Sequence, residues 1–294
     1  MPLSALIVTA FVLSPIRLEI DDRTPKFLDF YQAAQGLDAE KRWELWKAKY
    51  NFAAVPPTPD GQKMARKLLD DAWDKYPGVI DQIKRGAAGL KPDPRQRMNR
   101  VAGLLGCKES APIRLLVYVG GLEGNAFTAA IDGKTMVAIP VELSPERCPL
   151  VMTHEFTHAI HRTTAHLSGG WERSIAETIL AEGLAMHTVE AVEPHRPNQV
   201  YTDSSQEWLS DCGVHQREIL AGILPFLAKS DSATVSRFTF GSGTTGRNRE
   251  AYFLGWVVVG HMLHRGQSLA QIAHIPTSEI AGKVQTEIEK MLKE

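Results

Sequence analysis

The chain of 294 residues carries 33 Lys and Arg against 34 Asp and Glu, and 44% of its residues are hydrophobic. This composition is typical of a globular protein that buries a full core. The near-zero net charge supplies no long-range attraction for nucleic acid or for an anionic membrane, and no polybasic run is visible in the sequence. The three cysteines form no C-x-x-C pair, which argues against a disulfide framework and indicates small buried side chains.

Residues 3–13 are the only apolar stretch that resembles a targeting signal. The stretch is too short to span a bilayer, and no Lys or Arg precedes it as in a signal peptide. We therefore expect a buried strand or a packed N-terminal segment, with an export signal as the alternative. A cytoplasmic location is favoured over export, and no integral membrane segment is predicted.

Residues 24–106 show a helical pattern, in which four start signals each precede apolar residues spaced three and four apart. The start signals are capping residues or prolines of a first helical turn, at Thr24-Pro25, Asp38, Pro59 and Asp93-Pro94. We predict four helices, which belong to an N-terminal helical region of residues 1–110 packed on the rest of the chain.

Short β-rich runs follow at residues 113–119, 125–131 and 135–141. Asp132-Gly133 lies between the last two runs and is a strong hairpin signal. The sequence therefore predicts a small antiparallel sheet, which begins a second domain of residues 111–294.

An H-E-x-x-H motif, the pattern of many zinc hydrolases, is formed by His154, Glu155 and His158. A helix is predicted to begin at Ser144-Pro145 or at Pro149 and to carry the motif. Residues four apart share one face of a helix, so both imidazoles can bind the same ion. Glu155 lies beside them, where a carboxylate can take a proton from an attacking water.

Catalytic zinc takes three protein ligands and leaves one position open, so a third ligand is required. The next predicted helix, residues 172–192, contains Glu177 and Glu182. These two lie about 140° apart around a regular helix, and only one can face the ion. The small residues of the A-E-G-L-A sequence around Glu182 allow two helices to approach closely, which favours Glu182.

Later in the chain, residues 205–223, residues 249–263 and the segment after Pro276 are predicted to be helical. Residues 230–248, which include a glycine-rich run, are predicted to form a loop.

The H-E-x-x-H motif followed by E-G-L-A resembles the gluzincin clan of metallopeptidases and, distantly, the aminopeptidase-N-like catalytic domain. It is also similar to motifs of uncharacterised predicted zinc-dependent proteases. The resemblance implies one zinc ion bound by His154, His158 and Glu182. The spacing usual in these families fits Glu177 better than Glu182, so Glu177 stays the alternative ligand.

Tyr252 and Gly255 match a Y-x-K-G motif of the aminopeptidase-N-like enzymes, with Leu254 in place of the Lys. The resemblance implies that the Tyr252 hydroxyl stabilises an oxyanion; a core aromatic residue is the alternative. It also implies that an edge strand before the metal helix binds extended peptide by backbone pairing. The G-x-M-E-N signature that binds a substrate amino terminus is missing.

These observations predict an α+β, mainly α fold, in which a small antiparallel sheet is followed by a helical zincin-like core. The expected function is zinc-dependent hydrolysis of a peptide or protein substrate, with Glu155 as general base and no nucleic acid partner. The alternative is a non-catalytic binding or structural domain that zinc stabilises.

Overall fold

The computed structural model describes residues 16–131, 133–167 and 173–294. Residues 3–13, Asp132 and the predicted break at Gly169-Gly170 therefore lie outside the described residues. The fold is α+β and mainly α, as predicted. Among the described helices, none combines the length and apolar character that crossing a membrane requires.

The first third of the chain is helical, and each of the four predicted starts is confirmed. The helices are α1 (Thr24–Ala33), α2 (Ala39–Lys49), α3 (Pro59–Ala72), α4 (Ile80–Arg85) and α5 (Pro94–Leu104), with 3-10 turns at Trp73–Gly78 and Gly86–Gly89. Asp38 caps α2 by accepting from Lys41 N at 2.9 Å, and Asp93 caps α5 by accepting from Gln96 N at 3.0 Å. The short α4 was not predicted.

The sheet has four strands in the order β1-β2-β4-β3: β1 (Arg17–Asp22), β2 (Pro112–Tyr118), β3 (Phe127–Ile131) and β4 (Lys134–Pro140). The prediction of an antiparallel sheet is correct only for the β3–β4 hairpin, since β1–β2 and β2–β4 are parallel. The sheet is mixed because β4 pairs in parallel with β2 and antiparallel with β3. Strand β1, which was not predicted, adds a further parallel pair and aligns Arg17 with Pro112.

The two central strands, β2 and β4, are buried on both faces along most of their length. Ile113, Leu115 and Val117 of β2 join one large hydrophobic core that extends from the N-terminal helices to the last helix. On the opposite face, Leu116 and Tyr118 pack in a smaller cluster with side chains of β4. This leaves β3, at the edge of the sheet, half-exposed.

The remaining helices are α6 (Cys148–Thr164), α7 (Ile175–Val192), α8 (Asn198–Tyr201), α9 (Gln206–Val214), α10 (Gln216–Ile223), α11 (Ser232–Thr239), α12 (Glu250–His264), α13 (Leu269–Ala273) and α14 (Thr277–Lys293). The helix predicted at residues 205–223 is divided in two at His215. The segment predicted to be a loop, residues 230–248, contains α11. Asp231 caps this helix by accepting from Thr234 N at 3.0 Å, and Phe238 of the helix is buried.

Helix α7 lies at the centre of the helical layers and is buried almost all round, as expected of a core helix. It packs on α6 and, most closely, on α12. A Cβ added to Gly183 would lie 2.1 Å from the backbone oxygen of Gly255. The small residues around Glu182 therefore allow a close approach, but Gly183 serves the crossing with α12 rather than with the metal-motif helix.

Candidate metal centre

Two neighbouring helices bring together the three residues that the sequence predicts as ligands. His154 and His158 lie one turn apart on α6, and their Nε2 atoms are 3.0 Å apart. Oε2 of Glu182, on α7, lies 3.2 Å from Nε2 of His154 and 3.4 Å from Nε2 of His158. Three potential ligand atoms from two helices thus converge on one point.

The convergence fits a zinc ion. Zinc in tetrahedral coordination has bonds of about 2.0–2.1 Å to nitrogen and oxygen, which places ligand atoms roughly 3.3 Å from one another. The three separations, 3.0, 3.2 and 3.4 Å, lie close to that value. Two imidazoles and one carboxylate are also the ligand set of one class of catalytic zinc sites.

Neighbouring positive charges and hydrogen bonds keep the Glu182 carboxyl ionised despite its burial. Burial raises its pKa, but the two histidines and the guanidinium of Arg173 lower it more strongly, so that the pKa lies well below its usual range. For His154 the shift has the opposite direction: burial lowers the pKa, but the carboxylates of Glu182, Glu155 and Asp203 together raise it more strongly. An ionised carboxylate is the form that binds a metal cation.

Arg173 holds the other oxygen of the same carboxylate. Its Nη2 donates to Oε1 of Glu182, and its Nε donates to Thr178 Oγ1 at 3.3 Å. This contact leaves Oε2 of Glu182 directed at the histidines. No motif in the sequence indicates this role, because Arg173 precedes α7 and meets Glu182 only across two helical turns.

Glu177, the alternative ligand, is used elsewhere. Its carboxylate accepts from the backbone N–H of Ser174 at 2.8 Å, while its own N–H donates to Ser174 Oγ at 3.2 Å. This reciprocal pair is a capping box, which closes the N-terminus of α7. The S-x-x-E sequence at Ser174 is a signal that could have identified this role from the sequence.

Edge strand β3 contacts Glu155, the predicted general base. Thr128 Oγ1 lies 2.8 Å from Oε2 of Glu155 and 2.9 Å from the Glu155 backbone oxygen, and its hydroxyl donates to these acceptors. The side chain of Glu155 is thereby fixed beside the histidines of its own helix. The sequence did not indicate Thr128, since the contact joins a strand to a helix 27 residues away.

A pocket of about 220 Å³ opens beside His154, one of the three predicted ligands. His154, Glu155 and Tyr252 line it, together with two arginines, Arg147 and Arg249. The negative charge of Glu182 raises the pKa of the Tyr252 hydroxyl, and burial raises it further. The structure therefore brings the predicted Tyr252 to the same pocket as Glu155, as a neutral phenol that can donate a hydrogen bond.

Comparison with known proteins gives one match. Residues 120–282, just over half of the chain, match the family described as "Predicted Zn-dependent protease (DUF2268)". No curated protein and no solved structure matches the chain. The matched range contains α6 and α7, which carry the three predicted ligands, and the residues that line the pocket. The chain belongs to this family of predicted zinc-dependent proteases.

Proposed function

We propose that the protein is a gluzincin-type zinc peptidase, in which His154, His158 and Glu182 bind one zinc ion and Glu155 is the general base. One arrangement carries the proposal. The group of potential metal ligands found among the described residues lies directly beside a carboxylate that lines a pocket. A purely structural zinc site would have no use for such a base beside an open coordination position.

When bound, zinc lowers the pKa of water and polarises a peptide carbonyl. Glu155 then takes the proton of the attacking water and passes it to the leaving nitrogen. The Thr128 hydroxyl binds Oε2 of Glu155, and in the described part of the chain no hydrogen bond reaches the other oxygen. That oxygen is therefore free to accept the proton.

Tyr252 is proposed to stabilise the oxyanion that develops on the substrate carbonyl. A raised pKa keeps its hydroxyl protonated, which is the form that can donate a hydrogen bond. The match to the Y-x-K-G motif supports this role, although Leu254 replaces the Lys. Gly255 of the same motif is placed at the close crossing of α12 on α7.

The position of β3 supports a peptide as substrate. This strand pairs with β4 on one side, and among the described strands none pairs with its other side. Its free backbone groups can pair with an extended peptide next to Glu155. The missing G-x-M-E-N signature argues against an aminopeptidase that grips a substrate amino terminus.

A mixed peptide library with a mass-spectrometric readout tests the proposal. The zinc-loaded protein should cleave members of the library, while Glu155→Gln should keep one zinc ion per chain and lose cleavage. Glu279→Gln, which changes an exposed carboxylate on α14, is the matched control and should cleave normally.

Two results would overturn the proposal. One is a zinc-loaded Glu155→Gln variant that cleaves as well as the original protein, because another group would then take the proton. The other is a zinc-loaded protein that cleaves no peptide, which would favour the non-catalytic zinc-stabilised domain.

A further inference from the structure

Arg249 is the N-cap residue of α12, and its backbone conformation is unusual. It has φ 59° and ψ 34°, the left-handed conformation that residues other than Gly, Asn and Asp rarely adopt. Backbone strain of this kind concentrates at functional sites. The side chain lines the same pocket as Glu155 and Tyr252.

The guanidinium of Arg249 is held in place without an acidic partner. It lies 4.4 Å from the ring centroid of Tyr252 and 5.7 Å from that of Trp208, and its Nη1 donates to the backbone oxygen of Asp203 at 2.9 Å. Within residues 16–131, 133–167 and 173–294, no carboxylate forms an ion pair with it. Most of its five N–H donors are therefore available.

Arg147 adds a second positive charge to the same pocket. Its Nη2 pairs with Asp203 at 3.3 Å, and the two side chains are 46% and 77% exposed. An exposed pair of this kind contributes little and separates readily. Apart from His154 and Glu155, the charged lining of the pocket is thus two arginines against one loosely held aspartate.

Arg249 also lies where two pockets meet. Together with Asp203, it lines both the pocket beside Glu155 and a more open one of about 440 Å³, which Trp208 and Asn248 border. A peptide that extends from Glu155 past Tyr252 would reach this guanidinium. The planar fork of an arginine matches a carboxylate, which it can bind with two parallel hydrogen bonds.

We propose that Arg249, supported by Arg147, binds a carboxylate of the peptide on the Tyr252 side of the cleaved bond. The inference rests on the proposed peptidase function. The substrates are then peptides that carry a negative charge near the cleaved bond. The carboxylate belongs either to the peptide C-terminus or to an Asp or Glu side chain.

Calorimetry with short peptides tests this independently of cleavage. The probes are acetyl-trialanine amide, acetyl-trialanine with a free C-terminus, and acetyl-Ala-Glu-Ala amide, added to zinc-loaded protein carrying Glu155→Gln to prevent turnover. At least one probe with a carboxylate should bind about tenfold or more tightly than the amide, as expected for charge-assisted hydrogen bonds. The probe that binds more tightly than the amide identifies the source of the carboxylate.

Zinc can itself bind a carboxylate, so variants of Arg249 decide the assignment. Arg249→Asn, which tolerates the left-handed backbone, should remove the preference, and Arg147→Gln should weaken it. Arg217→Asn changes an exposed arginine on α10 and should leave the preference for a carboxylate unchanged. Equal binding of the three probes, or a preference that survives Arg249→Asn, would overturn the inference. Failure of peptide cleavage would instead overturn the proposed function.

Discussion

Thr128 Oγ1 lies 2.8 Å from Oε2 of Glu155 and 2.9 Å from the Glu155 backbone oxygen, so that β3 and α6 are joined at the predicted general base. Strand β3 thus positions the Glu155 side chain, and it is also an edge strand among the described strands of the sheet. The Thr128 hydroxyl therefore links the sheet to the candidate metal centre.

Thr128→Val should lower kcat on the order of tenfold, because the Glu155 carboxylate is no longer fixed in position beside the histidines. Zinc content should not change, since Thr128 contacts none of the three proposed ligands. Steady-state kinetics with parallel zinc analysis measures both. Thr128→Ser keeps the hydroxyl and serves as control; if it loses as much activity as Thr128→Val, the hydroxyl is not the cause.

Glu182→Gln should weaken zinc binding by more than the roughly tenfold to hundredfold that changes outside the coordination sphere produce. Glu177→Gln is the matched control, because a glutamine in this position retains the capping box and leaves zinc binding intact. Competition titration with a coloured chelator gives both affinities. Loss of zinc from Glu177→Gln, with zinc retained by Glu182→Gln, would reverse the assignment.

Arg173→Ala should destabilise the metal-free protein by about 1–3 kcal/mol, since the buried Glu182 carboxylate loses a charged donor. The loss should be smaller in zinc-loaded protein, because the ion also neutralises that carboxylate. Urea unfolding with and without zinc compares the two states. An equal loss of stability in the two states would mean that Arg173 and zinc do not both neutralise the Glu182 carboxylate. Arg173→Lys keeps a positive charge and should lose less stability than Arg173→Ala, with or without zinc.

Glu142 makes stability depend on pH. Burial raises the pKa of its carboxyl to about 7, and the hydrogen bond from Gly120 N at 2.8 Å lowers it only in part. In the unfolded chain the group titrates near its ordinary pKa of about 4.3, so the folded state binds the extra proton between these values. The contribution of Glu142 to the stability of the folded protein should therefore fall as pH rises through this window.

Glu142→Gln removes that titration. The free energy of unfolding of the variant, minus that of the original protein, should increase by up to about 3 kcal/mol from pH 4 to pH 8, as the shift in pKa implies. Urea unfolding of both proteins at the two pH values measures the gain. The pH dependence of zinc binding is common to both proteins and cancels in the comparison. An unchanged stability difference at the two pH values would contradict the prediction.

Features that depend on neighbouring residues were predicted well. The helix starts at Asp38 and Asp93 and the β3–β4 hairpin follow from capping and turn signals within a few positions. The three proposed ligands were likewise recognisable, because the H-E-x-x-H and E-G-L-A motifs are each contained in one helical segment.

Features that depend on distant parts of the chain were missed. The parallel pairing of β1 joins Arg17 to Pro112, and no local pattern reveals such a partner. Thr128 and Arg173 act on side chains that come near only when a strand and two helices pack together. For α11 the local signal at Asp231 was present, but the glycines that follow it favoured a loop.

Anomalous diffraction at the zinc absorption edge, from crystals of the zinc-loaded protein, tests the central claim most directly. One peak is expected within coordination distance of Nε2 of His154, Nε2 of His158 and a carboxylate oxygen of Glu182. A peak at any other place in the molecule, or no peak in protein that holds one zinc ion per chain in solution, would contradict the account.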